Sequence, residues 1–115
     1  METILSSIKS MLNIELDDTD FDGELILFIN AAIAELIQGG VGPKDGLVVD
    51  NNTTWNDFSA NDNIVGHSKM YVFCKTRLTW DPPSNSFVCD QFNKRADESY
   101  WRAYLEADEQ NNGEA

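Results

Sequence analysis

Apolar residues recur three and four positions apart in the first part of the chain, which is the spacing of one face of a helix. From Thr3 to Leu12 this pattern predicts a short first helix. From Leu25 to Ile37 a broad apolar stripe predicts the most strongly patterned helix of the chain. We expect Asp17 or Thr19 to cap its N-terminus and Gly39 to cap its C-terminus, since these residue types satisfy free backbone groups at helix ends.

The next part of the chain is rich in Gly, Asn, Asp and Thr. Residues 39–63 predict a long loop, with a short extended piece at Leu47 to Val49. Loops of this length in compact domains are usually functional or ordered by a partner. Residues 63–80 then carry a helical stripe, although residues 71–74 alone are equally typical of a strand.

The double proline after Asp81 ends this third predicted helix, because proline cannot donate to the helix ladder and disfavours a helical residue before it. Ser84 or Ser86 is expected to cap a last helix over residues 87–105. The remaining residues, 106–115, are acidic and predict a flexible tail. The whole pattern predicts an all-α fold, a small bundle of three to four helices with a long central loop.

Composition is consistent with one folded domain, which we place at residues 1–105. The chain has 115 residues, 42% of them hydrophobic, which is too apolar for a disordered acidic polymer. So short a chain builds only a small core, and part of its apolar surface is available for a partner subunit to cover. Two cysteines without a secretory signal fit synthesis in a reducing cytosol.

Charge excludes two classes of partner. The chain has 8 Lys and Arg against 20 Asp and Glu, a formal net charge of -12. Binding to nucleic-acid phosphates or to an anionic membrane requires an excess of cations, and this excess has the opposite sign. No apolar run approaches the roughly 20 residues that span a bilayer. The sequence therefore predicts no specific nucleic-acid binding and no membrane contact.

One acidic stretch resembles a calcium loop. Residues 18–23 reproduce the first six positions of the EF-hand loop, D-x-D-x-D-G. The twelfth position, which should be a bidentate Glu, is Ile29 in the apolar stripe. We therefore interpret the stretch as an acidic helix N-terminus favoured by the helix dipole, and predict no metal site.

No constellation of residues supports catalysis. His67 is the only histidine, and neither Cys74 nor Cys89 lies in a C-x-x-C pair or has enough companions for a zinc site. Phosphate-binding and nucleophile-elbow motifs are missing from the sequence. We predict that the chain is not an enzyme and binds no cofactor.

With these residues laid out, the chain resembles the head-tail connector proteins, also called adaptor or head-completion proteins, of long-tailed phages and prophages. The resemblance lies in the order of ILSSIKSMLNI, the acidic break ELDDTDFDGEL, the long helix LILFINAAIAELIQ, a Gly-rich loop, a third helix, the DPP turn and a final helix with ESYWRAYLE. It extends to about Glu106.

The resemblance implies a structural protein of the virion that is assembled in the host cytoplasm. Such proteins form a heterologous ring of about a dozen copies beneath the portal, which extends the DNA channel. The implied partners are further copies of the chain, the portal protein and a downstream connector or tail-completion protein. DNA would pass through the ring without specific binding.

Two groups of residues are candidates for these contacts. Aromatics serve as core residues or as interface anchors, and for Trp55 both interpretations are open, whereas Trp80 fits the core better. The interface candidates are Trp55, Phe58, Leu47, Val49, Trp101 and Tyr104. Acidic residues facing the channel would repel DNA phosphates. The candidates for that role are Asp17, Asp18, Asp20, Asp22, Asp57 and Asp62. The alternative function is an acidic DNA mimic that inhibits a nucleic-acid enzyme.

Overall fold

The computed structural model describes residues 2–114 and contains five helices in that range. The all-α prediction is confirmed, but the number of helices exceeds the predicted three to four because a one-turn helix lies in the predicted loop. The helices are α1 (Ile4–Met11), α2 (Asp22–Gln38), α3 (Trp55–Phe58), α4 (Asp62–Trp80) and α5 (Ser86–Glu114).

Helix α1 begins with a reciprocal cap. The Thr3 hydroxyl accepts a hydrogen bond from the backbone N–H of Ser6, and the Ser6 hydroxyl accepts one from the N–H of Thr3. Two of the free N–H groups at the helix start are thereby satisfied. Ile4 and Ile8, four residues apart, are fully buried on the inner face. The predicted helix over residues 3–12 is confirmed.

Helix α2 ends as predicted and begins differently. Gly39 is the C-cap, and Gly40 follows in the left-handed region at φ 96°. The N–H of Val41 donates to Leu36 O and that of Gly40 to Ile37 O, which is the Schellman arrangement. The N-cap, however, is Phe21, with no side-chain hydrogen bond, so the predicted cap by Asp17 or Thr19 is wrong.

The predicted loop is anchored to the core and contains α3. The amide of Asn30, on α2, donates to Val49 O at 3.0 Å and accepts from Val49 N–H at 2.7 Å, as a neighbouring strand would. Thr3 and Thr54 form an isolated antiparallel bridge. Residues 71–74 are helical, and no strand is present in residues 2–114. The strand alternative for residues 71–74 is therefore wrong.

Helix α4 is the centre of the bundle. It packs most extensively on α5, next on α2, and also on α1. Because neighbours cover it on several sides, Ser68, Tyr71, Val72 and Cys74 are all buried although they lie on different faces. The helix ends at Trp80, directly before Asp81 and the two prolines, as predicted.

Helix α5 is longer than predicted at its C-terminus. Its first free N–H groups, those of Phe87 and Val88, donate to the side chain of Asn85, so the predicted cap by Ser84 or Ser86 is wrong. The helix continues from residue 105 to Glu114, through most of the predicted tail. Ala115 lies outside the described residues, and the flexibility of residues 106–115 stays a prediction.

Candidate functional site

The interface candidates in the loop are mostly part of the chain's own core. Trp55, Phe58 and Val49 are 6%, 3% and 2% exposed. The Trp55 indole N–H donates to the buried hydroxyl of Ser7 at 2.9 Å, and its ring meets Phe58 edge to face. The core alternative for Trp55 therefore holds, and these three side chains are not available as exposed contacts. Leu47 is half-buried against the same core.

The candidates on α5 are on the surface. Trp101 is 57% exposed and stacks on Tyr104, with ring centroids 5.6 Å apart. Phe87 and Leu105 are also exposed, and their helical spacing places them on the outer side of α5, with Trp101 nearby. The opposite side, with Ala96, Ala103 and Ala107, is buried. Helix α5 therefore exposes apolar side chains at its start and again at Trp101 and Leu105, a feature that marks interaction surfaces.

The acidic candidates divide into free and occupied carboxylates. Asp17, Asp20 and Asp62 are exposed. Asp57 is also exposed, but its carboxylate accepts a hydrogen bond from the N–H of Thr54 at 2.8 Å and so stabilises the start of α3. Asp18 is partly buried. Its backbone carbonyl and the carboxylate of Asp22 belong to a polar centre described next.

The polar centre is built around Lys9, which is 2% exposed. Its ammonium group lies 2.9 Å from Asp22 Oδ1 and donates to the carbonyl oxygens of Asp18 at 2.6 Å and Leu16 at 3.2 Å. A buried ammonium needs such compensation because losing water costs several kcal/mol, as an order of magnitude. Asp22 is thus committed inside the chain, which removes it from the channel-lining candidates.

The stretch that resembles a calcium loop does not belong to a metal cluster. In residues 2–111, whose side chains the structure describes, there is no group of three His, Cys, Asp or Glu side chains that could hold a metal ion. Ile29, at the twelfth position of the calcium-like loop, is fully buried in the core. His67 is half-buried on α4.

Two buried groups on α4 have altered acidity. Burial raises the pKa of the Cys74 thiol to about 11, with Arg95 opposing the change. Burial and then the charge of Glu35 raise the pKa of Tyr71. Both groups are therefore neutral near pH 7, and a thiol that stays protonated is a poor nucleophile.

Sequence reasoning missed the groove between α4 and α5. The α4–α5 groove, of about 520 Å³, has an apolar floor and a rim with two cations. Its floor includes Met70, Phe73, Val88 and Phe92, and its rim includes Lys94 and Arg95. The available signal was the helical register of residues 88–95, which places Val88, Phe92 and Arg95 along one side of α5.

The comparison with family models decides the class of protein. The model of the phage connector protein family matches residues 4–110. The chain belongs to the phage connector protein family. No curated protein and no solved structure matches it.

Membership confirms the resemblance to head-tail connectors. A connector protein is a structural component of the virion that assembles with other phage head and tail proteins. In the part of the connector that the structure describes, no helix is long and apolar enough to cross a membrane. The match runs past residue 105 into the C-terminal turns of α5, so the family pattern includes part of the predicted tail.

Proposed function

We propose that this connector forms a ring of about a dozen copies beneath the portal, each copy using two different faces toward its neighbours. The ring extends the DNA channel and offers a docking surface to the next connector or tail-completion protein. The observation that carries the proposal is the family match over residues 4–110. That match favours the connector over the DNA mimic.

The surface of α5 supports a docking role. Trp101, Tyr104 and Leu105 form an exposed or half-exposed apolar patch near the end of the helix. Aromatic side chains are the usual anchors of protein interfaces, because they bury a large area at a small entropic cost. Of the six residues predicted as interface anchors, Trp101 and Tyr104 are those we retain.

One acidic candidate supports a channel that repels DNA. Asp17, Asp20 and Asp62 are all exposed, and we assign Asp62 to the lumen, where its charge would be repeated with every copy. Closely spaced carboxylates facing a lumen oppose phosphate binding, so DNA would slide without adhering. The host cytoplasm would be the place of assembly.

The test is reconstitution with the portal protein from the same genome. We expect the connector to bind portal rings and to appear in negative-stain images as an added layer with the symmetry of the portal. Trp101→Ala should weaken binding of the next connector or tail protein. Phe28→Ala, a half-buried aromatic of α2, serves as a comparison for unspecific loss of stability. A connector that leaves the portal unchanged in size and appearance contradicts the proposal.

A further inference from the structure

Charge is distributed very unevenly along this chain. Residues 10–68 contain 11 Asp and Glu against one cation, Lys44. Residues 69–102, which include most of α4 and the first half of α5, contain six Lys and Arg against four Asp and Glu. A molecule with a net charge of -12 therefore carries a positively charged region. Opposite charges on two regions of one chain favour contact between different regions of two copies.

The positive region includes the α4–α5 groove, whose lining contains two of its six cations, Lys94 and Arg95. On its floor Phe73 and Phe92 meet edge to face, and the Arg77 guanidinium lies 5.8 Å from the centre of the Phe92 ring. Lys94 and Arg95 on the rim are exposed and form no ion pair with any residue in the described part of the chain. Glu98, the acidic residue of the rim, is held by Arg102 at 2.8 Å.

The chain also contains a segment with the complementary chemistry. The acidic segment, residues 15–21, carries exposed carboxylates at Asp17 and Asp20. It also exposes two large apolar side chains, Leu16 at 59% and Phe21 at 40%. Charged groups alone suffice for solubility, but charged groups beside exposed Leu and Phe are typical of a surface that docks elsewhere.

The acidic segment is ordered before any partner arrives. Lys9 holds it from inside through the carbonyl oxygens of Leu16 and Asp18. Asp18 Oδ1 accepts a hydrogen bond from the N–H of Asp20 at 3.1 Å. A segment with a fixed backbone loses little conformational entropy on binding, which favours affinity.

We propose that the α4–α5 groove of one copy binds the acidic segment of a second copy of this chain. The carboxylates of Asp17 and Asp20 pair with Lys94 and Arg95, and an apolar side chain of the segment covers the floor. The contact is heterologous, so the pair keeps one free groove, on one copy, and one free segment, on the other, and association continues to a third copy. The inference rests on the proposed ring and names the surfaces that form it.

An apolar floor distinguishes this groove from a phosphate site. Nucleic-acid backbones are bound by cations and polar donors, and a floor of Met and Phe adds nothing to that contact. The acidic segment offers both parts of the complement, the charges and the apolar side chains. For that reason we assign the groove to a copy of the chain and not to DNA.

The test is a charge reversal followed by its compensation, measured by sedimentation equilibrium at low and high salt. We expect the wild-type chain to self-associate and salt to weaken the association. Lys94→Glu with Arg95→Glu, and separately Asp17→Lys with Asp20→Lys, should each raise the dissociation constant at least about tenfold. The chain carrying all four substitutions should regain association, because the charges are complementary again.

Matched controls separate this contact from an effect of net charge. Lys44→Glu with Lys69→Glu, and Asp45→Lys with Asp62→Lys, change the net charge equally and lie outside both surfaces. We expect them to leave the dissociation constant within about threefold of the wild type. Circular dichroism verifies that every variant is folded.

Four results would overturn the inference. One is a wild-type chain that stays monomeric at every concentration and salt level. Another is self-association that both reversals leave intact, and the third is a fourfold variant that fails to recover. A groove variant that self-associates normally but no longer binds the portal would assign the groove to the portal.

Portal binding, measured separately, distinguishes this inference from the proposed function. Self-association through the two surfaces without any portal binding contradicts the connector role beneath the portal and keeps the inference. A chain that binds the portal, but whose self-association is unchanged by both charge reversals, supports the connector role and contradicts the inference.

Discussion

Two largely irregular segments of this connector are held in place by opposite means. Residues 12–21 lie between α1 and α2 and are ordered by a buried cation, since the Lys9 ammonium bonds to two of their carbonyl oxygens. Residues 39–61, which include α3, are ordered by apolar side chains such as Val41, Val49 and Trp55, all of which enter the core.

The difference lies in which side chains reach the core. None of the side chains of the first segment is fully buried, and a cation from a neighbouring helix satisfies two of its carbonyls instead. The second segment is rich in Gly and Asn but has a hydrophobic residue every few positions, enough to fix its path by burial. We therefore expect the two segments to respond differently to substitution, pH and solvent.

The largest effect should come from the apolar anchor. Trp55→Ala removes a buried ring and its hydrogen bond to Ser7, and we expect a loss of about 4 kcal/mol in the free energy of unfolding. Urea denaturation measures it. Trp101→Ala, which removes the same side chain from an exposed site, should cost less than about 1 kcal/mol. Equal losses for the two tryptophans would contradict the assignment of Trp55 to the core.

The next effect should come from the cationic anchor. Lys9→Met leaves the Asp22 carboxylate and two carbonyl groups without their partner, and we expect a loss of about 3 kcal/mol. In this variant, amide hydrogen exchange should become faster in residues 12–21 than in the wild type, with a smaller change in residues 39–61. Lys69→Met removes a lysine from a half-exposed pair with Glu2 and should cost about 0.5 kcal/mol or less. Equal losses in the free energy of unfolding for the two variants would contradict the role of Lys9 in holding residues 12–21.

A smaller effect is expected from the amide that holds the loop to α2. Asn30→Ala removes both hydrogen bonds to Val49, and we expect a loss of about 2 kcal/mol, measured by thermal denaturation. Asn30→Asp keeps the acceptor for the Val49 N–H and loses the donor to its carbonyl. The stability of the aspartate variant should fall between those of the alanine variant and the wild type. An aspartate variant that is less stable than the alanine variant would contradict this account.

The smallest effect concerns pH and one turn of the loop. Hydrogen bonds from the Asn52 N–H and then the Thr53 hydroxyl lower the pKa of Asp50 below its ordinary value of 3.8. The folded state therefore favours the carboxylate. Its contribution to stability is fully present above pH 3.8 and is lost as the pH falls through the lowered pKa.

Nuclear magnetic resonance tests this titration. The amide shifts of Asn52 and Thr53 should change with a midpoint below 3.8 in the wild type, and the change should be missing in Asp50→Asn. The amides of residues 12–21 should not follow that midpoint. If the amide shifts of residues 12–21 changed with the same pH midpoint as those of Asn52 and Thr53, the two segments would not respond to pH independently.

The helices were predictable because their patterns are local. The stripe of α2, the Gly39 end and the double proline after α4 each fix a boundary within a few residues. Helix α3 was missed since it is one turn long, although Thr54 followed three residues later by Asp57 is a recognisable start signal. The cap at Phe21 was missed because the acidic segment binds Lys9, a contact that local pattern cannot show.

The candidate site was less predictable for the same reason. Trp55 stands between Thr54 and Asn56 and Trp101 between Tyr100 and Arg102, yet the tryptophan with polar neighbours is buried and the other is exposed. Trp55 is buried among residues distant in sequence, such as Ser7, 48 residues earlier, and the periodicity of a sequence does not show contacts over that separation. The α4–α5 groove likewise exists only after two helices have packed.

The bridge between Thr3 and Thr54 has a consequence for synthesis of the chain. Ile4 donates its N–H to the carbonyl of Thr53, and Ser7 accepts from the Trp55 indole, so α1 relies on a segment about 50 residues downstream. As the ribosome extends the chain, α1 emerges before Trp55 and has no complete surface to pack on until that residue has followed it. Helix α1 is therefore translated about 50 residues before the segment on which it packs.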